Sequence, residues 1–93
     1  MAEIAVRLII EGRVQGVGFR IFTVEAALRR TVRGWVRNRR DGAVEALLIG
    51  ADRDVEAVIA ACRQGPRLAH VANVTAEPAT DDGTSGFHER PTV

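Results

Sequence analysis

Ninety-three residues carry 13 basic side chains, all of them arginine, and 12 acidic ones, for a formal charge of +1, with 46% of positions hydrophobic and a single cysteine. A chain of this length makes one small domain, residues 1–93, that buries only about 60 to 65% of its unfolded surface, so its core has to be efficient. One cysteine excludes a disulfide framework, and one cysteine with His70 and His88 falls short of a structural zinc site; without lysine there is no Walker-type phosphate loop and no Schiff-base chemistry.

Val6, Leu8 and Ile10 alternate with Ala5, Arg7, Ile9 and Glu11, which predicts a first strand over about residues 4–11. Glu3 and Arg7 interrupt this apolar start and no small-residue cleavage site follows, so it reads as neither a signal peptide nor a membrane span. A cytoplasmic location is expected. Gly12-Arg-Val-Gln-Gly-Val-Gly18 then holds three glycines in seven residues, a density that only a loop accepts. From Phe19 to about Arg30 there is no Gly or Pro, and Phe19, Phe22 and Ala26 share one helical face.

The segments 34–38 and 43–49 flank Arg39-Arg40-Asp41-Gly42, whose Asp-Gly supplies hairpin turn chemistry. A second helix begins at Asp52 or Asp54, either one a candidate N-cap, places Val55, Val58, Ile59 and Cys62 in one stripe, and stops at Gly65-Pro66. Residues 71–77 read as a fourth strand, 78–86 as a loop, and 87–90 as a short fifth strand at an edge. The order βαββαβ predicts an α+β, ferredoxin-like sandwich: a four- or five-stranded antiparallel sheet with two helices on one face. Many functions use that architecture, so function has to come from a site.

Residues 1–50 hold nine arginines against five acids, while 51–93 hold four against seven, which makes the N-terminal half the anion-facing one. A strand, a glycine-rich turn and a helix start together aim backbone N–H groups at one spot. The loop fails the dinucleotide fingerprint, because Ile21 stands where its last glycine belongs. What is left is a compact cradle for one phosphate, formed by Gln15, Gly16, Val17, Gly18 and Phe19, with Arg20 adding a bidentate guanidinium. On spacing alone, a tight connection with a surface arginine explains the same residues equally well.

Gly12-Arg-Val-Gln-Gly-Val-Gly-Phe-Arg20, then Gly34-Trp-Val-Arg-Asn38 and Asp41-Gly-Ala-Val-Glu45, together with Gly65-Pro66 before Ala69 and Val71, resemble the acylphosphatase family over residues 4 to about 77. The resemblance implies a ferredoxin-like fold and hydrolysis of the carboxyl–phosphate bond of acyl phosphates, yielding a carboxylate and inorganic phosphate. It also implies that Arg20 binds the phosphate with the loop amides and that Asn38 orients the attacking water. No cofactor and no metal are expected, and the partners expected are the small-molecule substrate and the phosphate product, with no membrane or nucleic acid bound and a monomeric state. Two departures bear on stability more than on chemistry. Arg30-Thr31 replaces the usual Leu-Gly at the end of the first helix, forcing a non-glycine residue left-handed at about 1 kcal/mol, and Glu89 replaces a usually apolar residue of the last strand.

Other residues invite other readings. Cys62 beside Arg63 hints at a thiol phosphatase, but that motif needs five residues between the two, and six positions on from Cys62 stands Leu68; a buried, inert thiol on the helix stripe fits better. His70 and His88 lack acidic or serine partners at informative spacing and read as structural or surface residues, and Trp35 reads as core. The arginines at 29, 30, 33, 37, 39 and 40 raise the alternative of an RNA-binding module, yet strand candidates offer only Trp35 and Phe87 for base stacking. A further alternative is a stand-alone domain supporting carbamoyl phosphate chemistry, as in hydrogenase maturation, where acylphosphatase-like modules open larger chains.

Overall fold

The computed structural model describes residues 2–93. Seven elements follow in order: β1 (Glu3–Arg13), α1 (Phe19–Arg29), β2 (Arg33–Asn38), β3 (Val44–Ala51), α2 (Asp52–Gln64), β4 (His70–Pro78) and β5 (Phe87–Glu89). They build one five-stranded sheet in the order β4-β1-β3-β2-β5. Alternation in β1 works as the sequence predicts: Leu8 and Ile10 are fully buried beneath the helices, while Arg7 turns to the opposite face. The α2 stripe of Val55, Val58, Ile59 and Cys62 is buried in the same core as Phe19, Ala26 and Ala27 of α1, so both helices lie on one face of the sheet.

The sheet is mixed, where an antiparallel one was expected. Every neighbouring pair is antiparallel except β2 and β5, which run parallel with Gly34 opposite Phe87 and Val36 opposite Glu89. The cause lies in the route taken by residues 79–86. The chain leaves β4 at the level of Ala5, whose carbonyl accepts from Ala79 N–H at 2.9 Å, and register places Ala5, Ile49 and Arg33 in one row across the sheet. Crossing the sheet along that row delivers the chain to the first residues of β2, so β5 can only continue in the direction of β2. Polar tethers fix the crossing. Trp35 Nε1 donates to Asp82 at 3.0 Å, Arg33 pairs with Asp81 and donates to the Thr84 carbonyl at 2.9 Å, and Gly34 N–H donates to the Gly86 carbonyl at 2.9 Å. Hydrogen bonds from Thr84 hold the Asp82 carboxyl down at about 2.

This crossing gives the sheet a second apolar patch on the face away from the helices, made by Trp35, Leu47 and Ile49 with Ala79 against it. Trp35 is core, as its sequence context suggests, and the Arg37 guanidinium lies 4.5 Å from its ring centroid. Next to it Glu45, almost fully buried, takes Arg37 Nε at 2.8 Å and Arg7 Nε at 2.6 Å. Burial pushes the Glu45 carboxyl up, but the two guanidinium hydrogen bonds outweigh it and hold the group below its ordinary value.

Two details of the helix ends differ or agree instructively. Neither Asp52 nor Asp54 caps α2: the N-cap is Ala51, without a side-chain hydrogen bond, and both acids sit in the first turn, where they favour the positive end of the helix dipole. At the end of α1, Thr31 adopts φ 56°, the left-handed conformation that its place in the chain demands. Val32 N–H closes onto Ala27 O at 2.9 Å and Thr31 N–H onto Leu28 O at 3.3 Å, a Schellman closure executed without glycine. Thr31→Gly is expected to stabilise the fold by about 0.5–1 kcal/mol, because relief of about 1–2 kcal/mol of left-handed strain exceeds the added freedom of the unfolded chain. Thermal unfolding checks this: Tm should rise by about 2–6 °C, and an unchanged or lower Tm would show that the strain at Thr31 does not exceed the entropy that glycine adds to the unfolded chain.

Candidate active site

In the turn between β1 and α1, no backbone N–H from Val14 to Ile21 donates to an acceptor among the described residues. Gly18 is the N-cap of α1 at φ 79° and ψ 21°, a conformation a residue with a Cβ enters only at a cost, and it has no side-chain oxygen to fold back on the first turn. The first helical hydrogen bond runs from Phe22 N–H to Gly18 O at 3.0 Å, which leaves the N–H groups of Phe19, Arg20 and Ile21 ahead of it without helical acceptors. Gly16, also left-handed at φ 73°, bends the preceding backbone, and both glycines face open space. A cleft of about 90 Å³ sits at this spot, lined by Val14, Gly16, Gly18, Phe19, Arg20, Ile21, Asn38 and Glu89.

Of the sequence-derived residues, Gly16, Gly18, Phe19, Arg20 and Asn38 therefore meet around one cleft, although Asn38 comes from the end of β2 and the rest from the loop and α1. The fold closes that gap because α1 packs over β2 and β5. The side chains of Gln15 and Val17 turn away from the cleft. Gln15 Nε2 donates to Arg39 O at 2.7 Å and Ala43 O at 2.9 Å, pinning the loop to the β2–β3 hairpin, and Val17 packs into the main core. Each supports the turn from outside the cleft.

Glu89 also lines the cleft, a place its sequence position does not announce. Its substitution for an apolar residue suggested a matter of stability, yet its side chain is exposed and lies 3.7 Å from Arg20 Nε. The remaining candidates stay out of the site. Cys62 is fully buried, with its thiol pushed up to about 11 by burial, a shift that the Thr23 hydroxyl at 3.9 Å only partly offsets, so it is the inert thiol expected. His70 and His88 are exposed. Among the described residues no group of three His, Cys, Asp or Glu side chains converges as a metal site would require.

A larger depression, about 380 Å³, lies on the face away from the helices between Arg7, Arg37, Arg39 and Arg40. Three of its four arginines are engaged, Arg7 and Arg37 on Glu45 and Arg39 on Asp41 at 2.7 Å, whereas Arg40 makes no ion pair among the described residues. Its four arginines outnumber the carboxylates of Asp41 and Glu45, so it keeps positive charge; what it lacks beside the cleft is a helix start, since no residue of α1 or α2 lines it.

Comparison with known proteins shows the family and the fold. The family model described as Acylphosphatase matches residues 6–89. The acylphosphatase of Nitrobacter winogradskyi is 50% identical over 99 aligned positions that span all of both chains. Among solved structures, the acylphosphatase from Bacillus subtilis superposes with a TM-score of 0.90 at 34% identity, covering 94% of this chain and 98% of that one. Full-length HypF, in its phosphate- and nucleotide-bound form, superposes with a TM-score of 0.91 at 25% identity, covering 98% of this chain but 12% of that one.

Proposed function

The chain belongs to the acylphosphatase family, and on that footing we propose how it hydrolyses the carboxyl–phosphate bond of an acyl phosphate: the amides from Gln15 to Arg20 and the Arg20 guanidinium hold the phosphate, and Asn38 orients the attacking water. The observation that carries the reading is the convergence of Arg20, Asn38 and the uncapped start of α1 on one small cleft. An acyl phosphate leaves as a carboxylate, which is stable without protonation, so no general acid is needed. Transfer through a loose, in-line transition state asks for charge stabilisation on the equatorial oxygens and a held nucleophile. Amides and Arg20 supply the first and Asn38 the second. An amide takes up no proton near neutrality, so Asn38 is no base, and a phosphate oxygen of the substrate is the acceptor in this scheme.

The scheme needs no metal. Hydrolysis of a simple acyl phosphate in the presence of chelator tests it directly: activity is expected, and inorganic phosphate should inhibit competitively. Noncompetitive inhibition, or phosphate found only at the arginines around Arg37 to Arg40, would move the anion site away from the cleft.

The RNA-binding alternative is not favoured, and neither is the carbamoyl phosphate one, since full-length agreement with curated acylphosphatases outweighs a match to a small part of HypF. We also read the protein as a cytoplasmic monomer that binds no nucleic acid. Supporting this, Arg33, Arg37 and Arg39 are spent on intramolecular carboxylates, and the Trp35 ring lies beneath the guanidinium groups of Arg37 and Arg90. No helix is long and apolar enough to cross a membrane among the described residues. Light scattering checks the oligomeric state.

A further inference from the structure

Glu89 is a carboxylate on the wall of a cleft that takes an anion. It arrives there through the parallel pairing of β5 with β2: Val36 lies opposite Glu89, Phe87 anchors the strand in the core, and Asn38 follows two residues beyond Val36. Its charge faces a guanidinium on the same wall, with Glu89 Oε1 3.7 Å from Arg20 Nε. That distance is too long for a hydrogen bond, and the two side chains are 41% and 43% exposed. A strut that locked Arg20 in one orientation would show short, paired hydrogen bonds and burial. What Glu89 supplies at this separation is charge.

We propose that Glu89 is an affinity-setting residue: its carboxylate competes with the phosphate group for Arg20 and repels the anion, weakening the hold on substrate and inorganic phosphate alike. The proposal rests on the cleft being the phosphate site, as argued above. Inorganic phosphate keeps every group that the cradle recognises in the substrate, so Glu89 shifts KM and the phosphate inhibition constant by the same factor and leaves their ratio unchanged. Binding that is equally strong in the ground state and the transition state adds nothing to kcat. A fixed negative charge lowers that uniform affinity without touching the loop amides or Asn38.

The test is titration of wild type, Glu89→Gln and Glu89→Ala with inorganic phosphate by calorimetry, alongside steady-state hydrolysis. Both variants should bind phosphate about three- to tenfold more tightly, as expected for removing one like charge within a few ångströms of a half-solvated site. KM and the phosphate inhibition constant should fall together, with kcat within about twofold of wild type. The difference from wild type should close as ionic strength rises from about 0.01 M to about 1 M, where the Debye length shrinks from about 30 to about 3 Å. Glu56→Gln, the same charge change on an exposed position of α2, should leave phosphate binding unchanged.

Phosphate binding that is unchanged or weaker in both Glu89 variants overturns the proposal, as does a gain in affinity that persists undiminished at high salt. Agreement between Gln and Ala, with unfolding monitored for each, keeps the result independent of any one variant's folding. Calorimetry requires no turnover. An inactive wild type that still shows the tighter binding on losing Glu89 would remove the catalytic reading and leave the charge effect standing, whereas normal hydrolysis with no shift would do the reverse.

Discussion

Arg20→Lys is expected to lose almost as much catalytic efficiency as Arg20→Ala, with kcat/KM falling by about 10³-fold or more in the alanine variant and lysine recovering no more than about tenfold of that. A lysine ammonium is a compact point charge, whereas the guanidinium is a planar fork that bonds two phosphate oxygens at once and keeps its shape as charge builds on them. Glu89 sharpens the contrast. Its carboxylate already lies 3.7 Å from Arg20 Nε, and a lysine at position 20 would find the same partner from a more flexible stem, drawing its only charged group toward Glu89 and away from the phosphate. In the native chain the guanidinium has two further nitrogens beyond Nε with which to face the anion. Steady-state kinetics on both variants decide the matter. A lysine variant with most of the wild-type efficiency would make Arg20 a general attractor of anions and not a two-point ligand.

The elements that bring Arg20 and Asn38 to one cleft are marked by local chemistry. Glycine density forces the loop, the apolar spacing from Phe19 forces the helix, and the resemblance attaches roles to the arginine that opens that helix and to the asparagine that closes β2. What stayed hidden depends on pairings between distant segments. Residues 87–90 read as a short edge strand, but that reading carries no direction, and direction came from the crossing of residues 79–86, which delivers the chain level with Gly34. Direction and register together are what set Glu89 beside Arg20, so its role could not be read from its position in the sequence. Gln15 shows the same limit in reverse. Its place in the loop suggested the cradle, but its amide finds the Arg39 and Ala43 carbonyls, groups that only the closed hairpin brings within reach. Thr31 is the opposite case: the helix must end in a left-handed residue there, and φ 56° shows the chain accepting the strain.

Asn38→Ala is expected to reduce kcat by about 10²- to 10³-fold while the inhibition constant for phosphate stays within a few-fold of wild type. The separation follows from where the groups come from. In the proposed scheme phosphate is held by the turn before α1 and by Arg20, all on one continuous segment, and Asn38 reaches the cleft from another element, the end of β2, where it is half-buried. Its carboxamide offers both a donor and an acceptor, which lets a single water be fixed in orientation as well as position. Losing it frees the water, costing the step that needs alignment and sparing the anion contacts that do not. Asn38→Asp should be poor for a different reason, since it removes the amide donor and adds a second carboxylate beside Glu89 in a cleft that must admit a phosphate. That variant should therefore lose phosphate affinity as well as kcat, and Asn38→Asp combined with Glu89→Gln should recover phosphate affinity without recovering turnover. Measuring kcat and phosphate inhibition across the three variants separates alignment from charge. A large loss of phosphate binding in Asn38→Ala with kcat preserved would place Asn38 among the groups that hold the anion and leave the attacking water to be held by something else.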